Sequence, residues 1–387
     1  MRQVYLDNNA TTLIDPAVFE AMIPFYLEDY GNASSIHTLG QKARSAVENA
    51  RAQVADLIGA EIGEIVFTSG GTESDNTALR GVAMALRSKG RHIITTTIEH
   101  SAILHTCRQL EEEGFRVSYL PVDRQGHLSL DRLGEEITED TVLISVMHAN
   151  NEIGVIEPMK KMAMLARERG VLLHTDAVQT VGKIDLDVGE LGVDLLSLSA
   201  HKFHGPKGVG ALYLRGDVAM FPLLHGGAHE RSRRAGTLNV PGIVGLGKTC
   251  EVAKASLADF TCRVGRLRDR LEKGVIEGIA DTCVNGSTTD RVPHLSNISF
   301  RGIEGEALLI ALDFQGVAVS TGSACSSGMI EPSHVLTALG GDRSLHKSAI
   351  RFSLSRMSND GDIDYVLDVL PGTVQRIRRV SPIYRSR

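Results

Sequence analysis

Short apolar runs rich in β-branched residues alternate with longer amphipathic stretches between about Ile65 and Leu214. The amphipathic stretches SAILHTCRQLEEEG and MKKMAMLARERG have helical spacing, and each ends at a glycine, Gly114 or Gly170. The alternation predicts an α/β fold, with a mostly parallel sheet flanked by helices on both faces. The predicted strands lie in EIVFTSG, RHIITTTIEH, FRVSYLPV, TVLISVMHAN, GVLLHTDA, VDLLSLSA and GVGALYLR.

The pattern changes after about Pro241, where a long helical stretch continues to about Gly278. Shorter predicted strands (HLSNISFRG, VAVST) and helices (GEALLIALDF, DGDIDYVLDVLPGTVQRI) follow it. We therefore predict a large domain over residues 16–260. Residues 1–15 and 261–387 are predicted to form a smaller α+β domain.

Composition narrows the class of protein. The 387-residue chain has a net charge of −6 at pH 7, which gives no electrostatic reason to expect nucleic acid as a partner. It contains no apolar run long enough to span a membrane, and MRQVYLDNNATT lacks the apolar core of a signal peptide. The five cysteines are widely spaced without a C-x-x-C pair, which argues against a disulfide framework. We expect a cytoplasmic protein.

Polar segments follow five of the predicted strands. Ligands of parallel α/β sheets gather at the carboxyl ends of the strands, so we expect these segments to line one crevice. They are TSGGTES, TIEHSA, HANNE, HTDAVQ and LSAHKFHGPKG.

Three of these segments carry the chemistry that pyridoxal phosphate requires. Lys202 is either a solvated loop residue or an amine partly desolvated for nucleophilic work. Asp176 either caps the helix that follows it or pairs with a pyridinium nitrogen. Gly70 and Gly71 precede Thr72 and a helical run, an arrangement that lets main-chain N–H groups approach a phosphate.

Ten segments, in order along nearly the whole chain, resemble those of the NifS/IscS-type cysteine desulfurases. These enzymes are fold-type-I pyridoxal-phosphate enzymes of the class-V aminotransferase family, and the resemblance implies that fold. The segments are YLDNNATT, YGNASSIH, TSGGTESDN, EHSA, ANNEIG, HTDAVQ, SAHKFHGPKG, RRAGTLNVP, STGSACSSG and AIRFSLSR.

The resemblance implies roles for individual residues. Lys202 would hold pyridoxal 5'-phosphate as a Schiff base, with Asp176 at the pyridinium nitrogen and Gln179 at the phenolic oxygen. His100 would stack on the ring and move protons. The phosphate would be held by Gly71, Thr72, Ser199 and His201, with Thr237 from the second subunit of a homodimer. Asn151 and Arg351 would bind the substrate carboxylate.

The resemblance also implies the reaction. L-cysteine would become L-alanine, and Cys325, on a mobile loop of about residues 320–332, would carry the sulfur as a persulfide. The sulfur would pass to an acceptor or iron–sulfur scaffold protein, in a nitrogenase-related or a general role. A selenocysteine lyase, another class-V aminotransferase-like enzyme and a catalytically silent scaffold are the alternatives.

Other motifs receive plainer interpretations. GIVGLGKT, from Gly242 to Thr249, matches the P-loop pattern, but Pro241 before it indicates an ordinary helix start. HGGAHE and HKFH lack the spacing or the third ligand that a metal needs, so we predict no metal site. We expect structural roles for the other cysteines, namely Cys107, Cys250, Cys262 and Cys283.

Overall fold

The computed structural model describes residues 2–321, 332–382 and 384. Its strands are β1 (Val4–Tyr5), β2 (Ile65–Thr68), β3 (His92–Thr96), β4 (Arg116–Leu120), β5 (Thr141–Ser145), β6 (Leu172–Asp176), β7 (Leu195–Ser199), β8 (Gly210–Leu214), β9 (Thr282–Val284), β10 (Leu295–Phe300), β11 (Val317–Ala318) and β12 (Ala349–Ser353).

The α-helices are α1 (Pro16–Met22), α2 (Pro24–Leu27), α3 (Thr38–Ile58), α4 (Gly71–Leu86), α5 (Ser101–Glu112), α6 (Leu130–Glu136), α7 (Met159–Glu168), α8 (Val188–Leu191), α9 (Val240–Asp259), α10 (Gly265–Gly278), α11 (Gly305–Asp313), α12 (His334–Ala338), α13 (Arg343–His346) and α14 (Asp360–Val380). Short 3-10 turns lie at Ile62–Glu64, Ala200–Lys202 and Glu230–Ser232, and a π-helical turn at Phe260–Val264 joins α9 to α10.

The central sheet has the strand order β2-β8-β7-β6-β5-β3-β4. All seven strands predicted between Ile65 and Leu214 belong to it, so that prediction is confirmed. The neighbours from β7 to β4 pair in parallel, whereas β8 runs antiparallel to both β2 and β7. The sheet is therefore mostly parallel, as predicted.

Helices cover both faces of the central sheet. Successive side chains of a strand point to opposite faces, so neighbouring strand residues pack against different helices. In β3, Ile93 packs in the cluster that includes residues of α4 and α5, and Ile94 packs in the cluster that includes α3, α7 and α9. Leu195 and Leu196 of β7 divide in the same way. This double burial explains the nearly continuous apolar strands.

A second cluster forms around the antiparallel sheet β12-β10-β9 and the helices α10, α11 and α14. The N-terminal strand joins it, because Val4 and Leu6 pack there and β1 pairs in parallel with β11. This arrangement matches the predicted elements of the later chain, although VAVST contributes only Val317 and Ala318 as a strand. The domain boundaries at residues 15 and 260 stay a prediction.

The P-loop-like segment from Gly242 to Thr249 lies inside α9. Asn239 caps this helix, because its Oδ1 accepts a hydrogen bond from the Gly242 N–H over 3.2 Å. The main-chain N–H groups are thus part of a helix rather than a phosphate-binding loop, as predicted. Among the described residues, none of the helices combines the length and apolar character that a membrane crossing requires.

Candidate active site

Lys202 ends the 3-10 turn that follows β7, at the carboxyl edge of the central sheet. Its Nζ donates hydrogen bonds to two main-chain carbonyls, that of Asn9 over 2.6 Å and that of Ala10 over 2.9 Å. Both carbonyls belong to the segment after β1. The N-terminal segment therefore forms one wall of the site around Lys202.

Asp176 is the last residue of β6 and is 7% exposed. Its Oδ1 accepts a hydrogen bond from the Val178 N–H over 2.9 Å. Burial raises the pKa of the carboxyl, and electrostatic interactions with the nearby His100 and Lys202 oppose that rise. A buried carboxylate of this kind gains most from a further cationic neighbour, which suits it to pair with a protonated ring nitrogen.

Two more buried carboxyls lie near Asp176, and the sequence patterns did not single them out. Burial raises the pKa of Glu99 to about 8 and raises that of Asp75 well above its usual range, with Asp176 adding to both effects. Hydrogen bonds from Thr96 and the Met147 N–H favour the Glu99 anion but do not outweigh burial. With a pKa of about 8, Glu99 is largely protonated at neutral pH, and burial favours the protonated form of Asp75 as well.

His100 caps the start of α5. Its Nδ1 accepts a hydrogen bond from the Ala102 N–H over 3.2 Å, so we infer that the hydrogen of the neutral ring lies on Nε2. Burial lowers the pKa of His100, and the nearby charge of Asp176 opposes this effect. The ring therefore presents an N–H group, and its role in moving protons stays a prediction.

Four residues predicted to hold a phosphate line one open cleft of about 420 Å³, and Lys207 lines it as well. They are Gly71, Thr72, Ser199 and His201. The cleft faces the N-terminus of the 16-residue helix α4, where unpaired N–H groups and the helix dipole favour an anion. These donors fit the phosphate of pyridoxal phosphate. Lys207 adds a positive charge, and its place in GPKG, five residues after Lys202, could have identified it.

Backbone conformation at Gly70 and close packing at Gly71 explain the two glycines of this cleft. Gly70 has a φ of +150°, a conformation that side chains rarely adopt. A Cβ atom at Gly71 would lie 2.8 Å from Cγ2 of Val178, too close for a carbon–carbon contact.

Glu73, in the first turn of α4, is neutralised by an ion pair with Arg234, with 2.9 Å between Oε1 and Nε.

Gln179 is buried beside the same N-terminal segment. Its Nε2 donates to the Asn9 carbonyl over 3.3 Å, and its Oε1 accepts from Lys183 over 2.9 Å. Asn9, Lys183 and His294 were not identified from the sequence, although Asn9 lies in the YLDNNATT segment. His294 belongs to the later part of the chain and lay in no motif.

Asn151 and Arg351 are brought together across the two parts of the chain. Nη1 of Arg351 donates to the Asn151 carbonyl over 3.2 Å, and Nη2 pairs with Asp7 over 2.8 Å. The buried Nε has no hydrogen-bond partner among the described residues. One side of the guanidinium is thus occupied by Asp7, and the predicted two-pronged grip on a carboxylate would compete with that ion pair.

Thr237 lies apart from this geometry. Thr237 is exposed between the 3-10 turn at Glu230–Ser232 and α9, and it lines none of the clefts around Lys202 or Gly71 within the described chain. Cys325 and most of its loop, residues 322–331, lie outside the described residues. The main chain just before them is held at the site, because Ser320 and Arg351 exchange two main-chain hydrogen bonds.

The other cysteines are unpaired, and none lines the clefts around Lys202, Gly71 or His100 in the described chain. Cys107 and Cys250 are buried in helices, where burial raises the pKa of Cys107 to about 12. Cys262 and Cys283 are exposed. The described residues contain no cluster of side chains that could hold a metal ion.

The comparisons with known proteins agree over almost the full chain. The family model described as Aminotransferase class-V matches residues 4–366. "Cysteine desulfurase IscS" of Methanosarcina thermophila is 52% identical over 382 residues, which cover 99% of this chain and 94% of the relative. The protein of the same name from Dictyoglomus turgidum is 51% identical and covers 98% of this chain and 97% of its own length.

A solved structure named "NifS-like protein" has a TM-score of 0.91 and 40% identity, and the match covers 97% of this chain and 100% of the other. Similarity of this extent includes both the central sheet and the second cluster. The chain therefore belongs to the class-V aminotransferase family, within its group of IscS- and NifS-like cysteine desulfurases.

Proposed function

We propose that this chain is a pyridoxal-phosphate-dependent cysteine desulfurase that converts L-cysteine to L-alanine and supplies sulfur for iron–sulfur cluster assembly. The observation that carries the cofactor assignment is one cleft lined by Gly71, Thr72, Ser199 and His201. His201 directly precedes Lys202 in the chain. When bound, pyridoxal phosphate acts as an electron sink that stabilises negative charge at the substrate Cα.

The chain's own residues support this chemistry. Lys202 would hold the cofactor covalently, while the buried Asp176 carboxylate would keep a proton on the ring nitrogen. His100 would hold a proton at Nε2 beside the ring, and the start of α4 would bind the phosphate. Arg351 and Asn151 would orient the substrate carboxylate, which fits the unpartnered Nε of Arg351.

Cys325 would receive the sulfur. Its thiolate would attack the sulfur of bound cysteine, so the carbon–sulfur bond breaks while a sulfur–sulfur bond forms. The substrate Cβ takes a proton, the product leaves as alanine, and a persulfide remains on Cys325. Both sulfur atoms and all hydrogens are accounted for without an external oxidant or reductant. A sulfur acceptor or scaffold protein would then take the terminal sulfur.

We further propose that the active form is a homodimer in the cytoplasm. Large apolar side chains are exposed in a short stretch at the start of the chain, which is a feature of subunit interfaces. They are Leu13, Phe19, Ile23, Tyr26, Leu27, Tyr30 and Ile36. The exposure of Thr237 fits a residue that reaches the site of a second subunit.

The direct test is product analysis after a single turnover. The protein, loaded with pyridoxal phosphate, is mixed with limiting L-cysteine without a reductant, and alanine and the mass of the tryptic Cys325 peptide are measured. We expect one alanine for each persulfide sulfur on that peptide. Pyruvate in place of alanine, or sulfur found on another cysteine, would contradict the proposal.

A further inference from the structure

Lys183 is a buried lysine in the turn that follows β6, with only 4% of its surface exposed. Main-chain hydrogen bonds from Val181 to Ala177 and from Ile184 to Thr180 shape this turn. They bring Gln179 and Lys183, four residues apart, onto one side. Nζ of Lys183 donates to Oε1 of Gln179 over 2.9 Å.

The surroundings of Lys183 favour an uncharged amine. Within the described residues its side-chain partners are Gln179 and His294, and no carboxylate pairs with it. It lines a narrow cavity of about 20 Å³ together with apolar groups such as Phe203 and Phe260. Burial lowers the pKa of Lys183 well below its usual range, and the charges of Lys202 and Arg351 lower it further.

The hydrogen bonds of His294 also favour an uncharged amine at Lys183. Its Nε2 lies 2.9 Å from Oδ1 of Asn9 and 3.4 Å from Nζ of Lys183. The Asn9 oxygen is oriented, because its Nδ2 donates to the Asn151 carbonyl over 3.0 Å. Nε2 of His294 therefore carries the hydrogen that Oδ1 accepts, and Lys183 faces an N–H group that an ammonium would repel.

The oxygen and the nitrogen of the Gln179 amide have different hydrogen-bond partners. Its oxygen faces Lys183, whereas its nitrogen donates to the Asn9 carbonyl that also accepts from Lys202. A glutamine amide can turn over and exchange these ends. The lone pair of the uncharged Lys183 amine faces the N–H group of His294, so its own N–H groups are left for Gln179 and fix the orientation that turns the amide N–H₂ group toward Lys202.

We propose that Lys183 is a positioning residue, which holds Gln179 with its N–H₂ group directed toward Lys202 and the cofactor. The proposal rests on the proposed function, in which Gln179 contacts the phenolic oxygen of pyridoxal phosphate. It adds that a second, buried lysine determines which end of the amide is presented.

The test is a double-mutant cycle with Lys183→Met, Gln179→Leu and both together, measured as holoenzyme. The readouts are the dissociation constant of pyridoxal phosphate and the visible absorption maximum of the bound cofactor. We expect each single change to weaken cofactor binding about fivefold, the effect of one lost hydrogen bond, and to move the maximum in the same direction. The double variant should be no worse than either.

Independent effects that multiply in the double variant would overturn the proposal, as would Lys183→Met with a wild-type maximum and affinity. Val275→Ala, a cavity in the second cluster, is the matched control for lost stability and should leave both readouts unchanged. Neither readout needs sulfur release, so this result and that of the desulfurase assay are independent.

A second measurement needs no variant. Neutron diffraction from crystals of the holoenzyme distinguishes Oε1 from Nε2 by the deuterium atoms on the nitrogen. We expect Oε1 toward Lys183, and an amide with Nε2 toward Lys183 would overturn the proposal even if Lys183→Met does not fold.

Discussion

The side-chain nitrogen of Lys202 lies 2.6 Å from the main-chain carbonyl of Asn9, although 193 residues separate them in the chain. Asn9 also contacts His294 through its side chain, from the later part of the chain. One residue near the N-terminus thus connects the central sheet with the second cluster at the amine on which the proposed chemistry depends.

Replacing this amine should abolish the reaction without unfolding the protein. Lys202→Ala removes the hydrogen bonds to the Asn9 and Ala10 carbonyls, but the Asn9 carbonyl keeps its hydrogen bond from Gln179, so we expect a change in the free energy of unfolding of only about 1 kcal/mol. Alanine formation should fall by about 100-fold or more. Gel filtration with absorbance detection should show that the visible colour no longer remains with the protein, and tightly retained colour would contradict the assignment of Lys202.

Asp176 and Asp75 offer a matched pair of buried carboxyls. Asp176→Asn removes the charge proposed to face the ring nitrogen, so we expect turnover to fall by about 100-fold or more. Asp75→Asn replaces a carboxyl whose protonated form burial favours, so turnover should change little. Initial rates of alanine formation compare the two. Equal losses in both variants would show that general damage, rather than charge at Asp176, is responsible.

The start of α4 should not tolerate a side chain at Gly71. In Gly71→Ala the added carbon would meet Val178 at 2.8 Å, so the helix start must shift, and cofactor binding should weaken. Gly134→Ala in α6 is the control, because a Cβ there meets nothing within 4 Å. It should leave binding unchanged and stabilise the fold by about 0.5–1 kcal/mol. Equilibrium titration with pyridoxal phosphate tests both.

Glu99 should make the folded state less stable as the pH rises. Its pKa is about 8 in the folded protein and near 4.5 in an unfolded chain, so the folded state binds more protons between these values. The contribution is fully present below pH 4.5 and is lost as the pH approaches 8. Denaturant unfolding of cofactor-free protein should show this decline, on the order of a few kcal/mol, reduced in Glu99→Gln. Parallel pH profiles would contradict it.

A cross-subunit role for Thr237 predicts complementation. Lys202→Ala and Thr237→Ala subunits should each be poorly active, but in a mixed dimer one site combines an intact Lys202 with an intact Thr237. Coexpression in equal amounts should restore about a quarter of wild-type activity per subunit, the statistical share of such sites. Activity no higher than the average of the two parents would place Thr237 in its own subunit's site or in none.

The sheet and its polar edge were predictable from the sequence, whereas the network behind Lys202 was not. Strands such as β3 and β7 alternate between two buried faces, which leaves an apolar signature, and the polar segments follow them directly. Asn9 acts partly through its main-chain carbonyl, which any residue type could supply. Lys183 is of a residue type usually found at the surface, so only the fold reveals that it is buried. His294 comes from a distant strand region, and nothing local indicates its partners.

The central claim is that sulfur passes through Cys325, and the most direct measurement compares sulfide release from L-cysteine, with a thiol reductant, by the wild type, Cys325→Ala and Cys283→Ala. Cys283 is the control because it is exposed and lines no cleft near Lys202 within the described residues. We predict that Cys325→Ala retains bound cofactor and its colour but loses sulfide release, while Cys283→Ala matches the wild type. Sulfide release from Cys325→Ala at the wild-type rate would contradict the account.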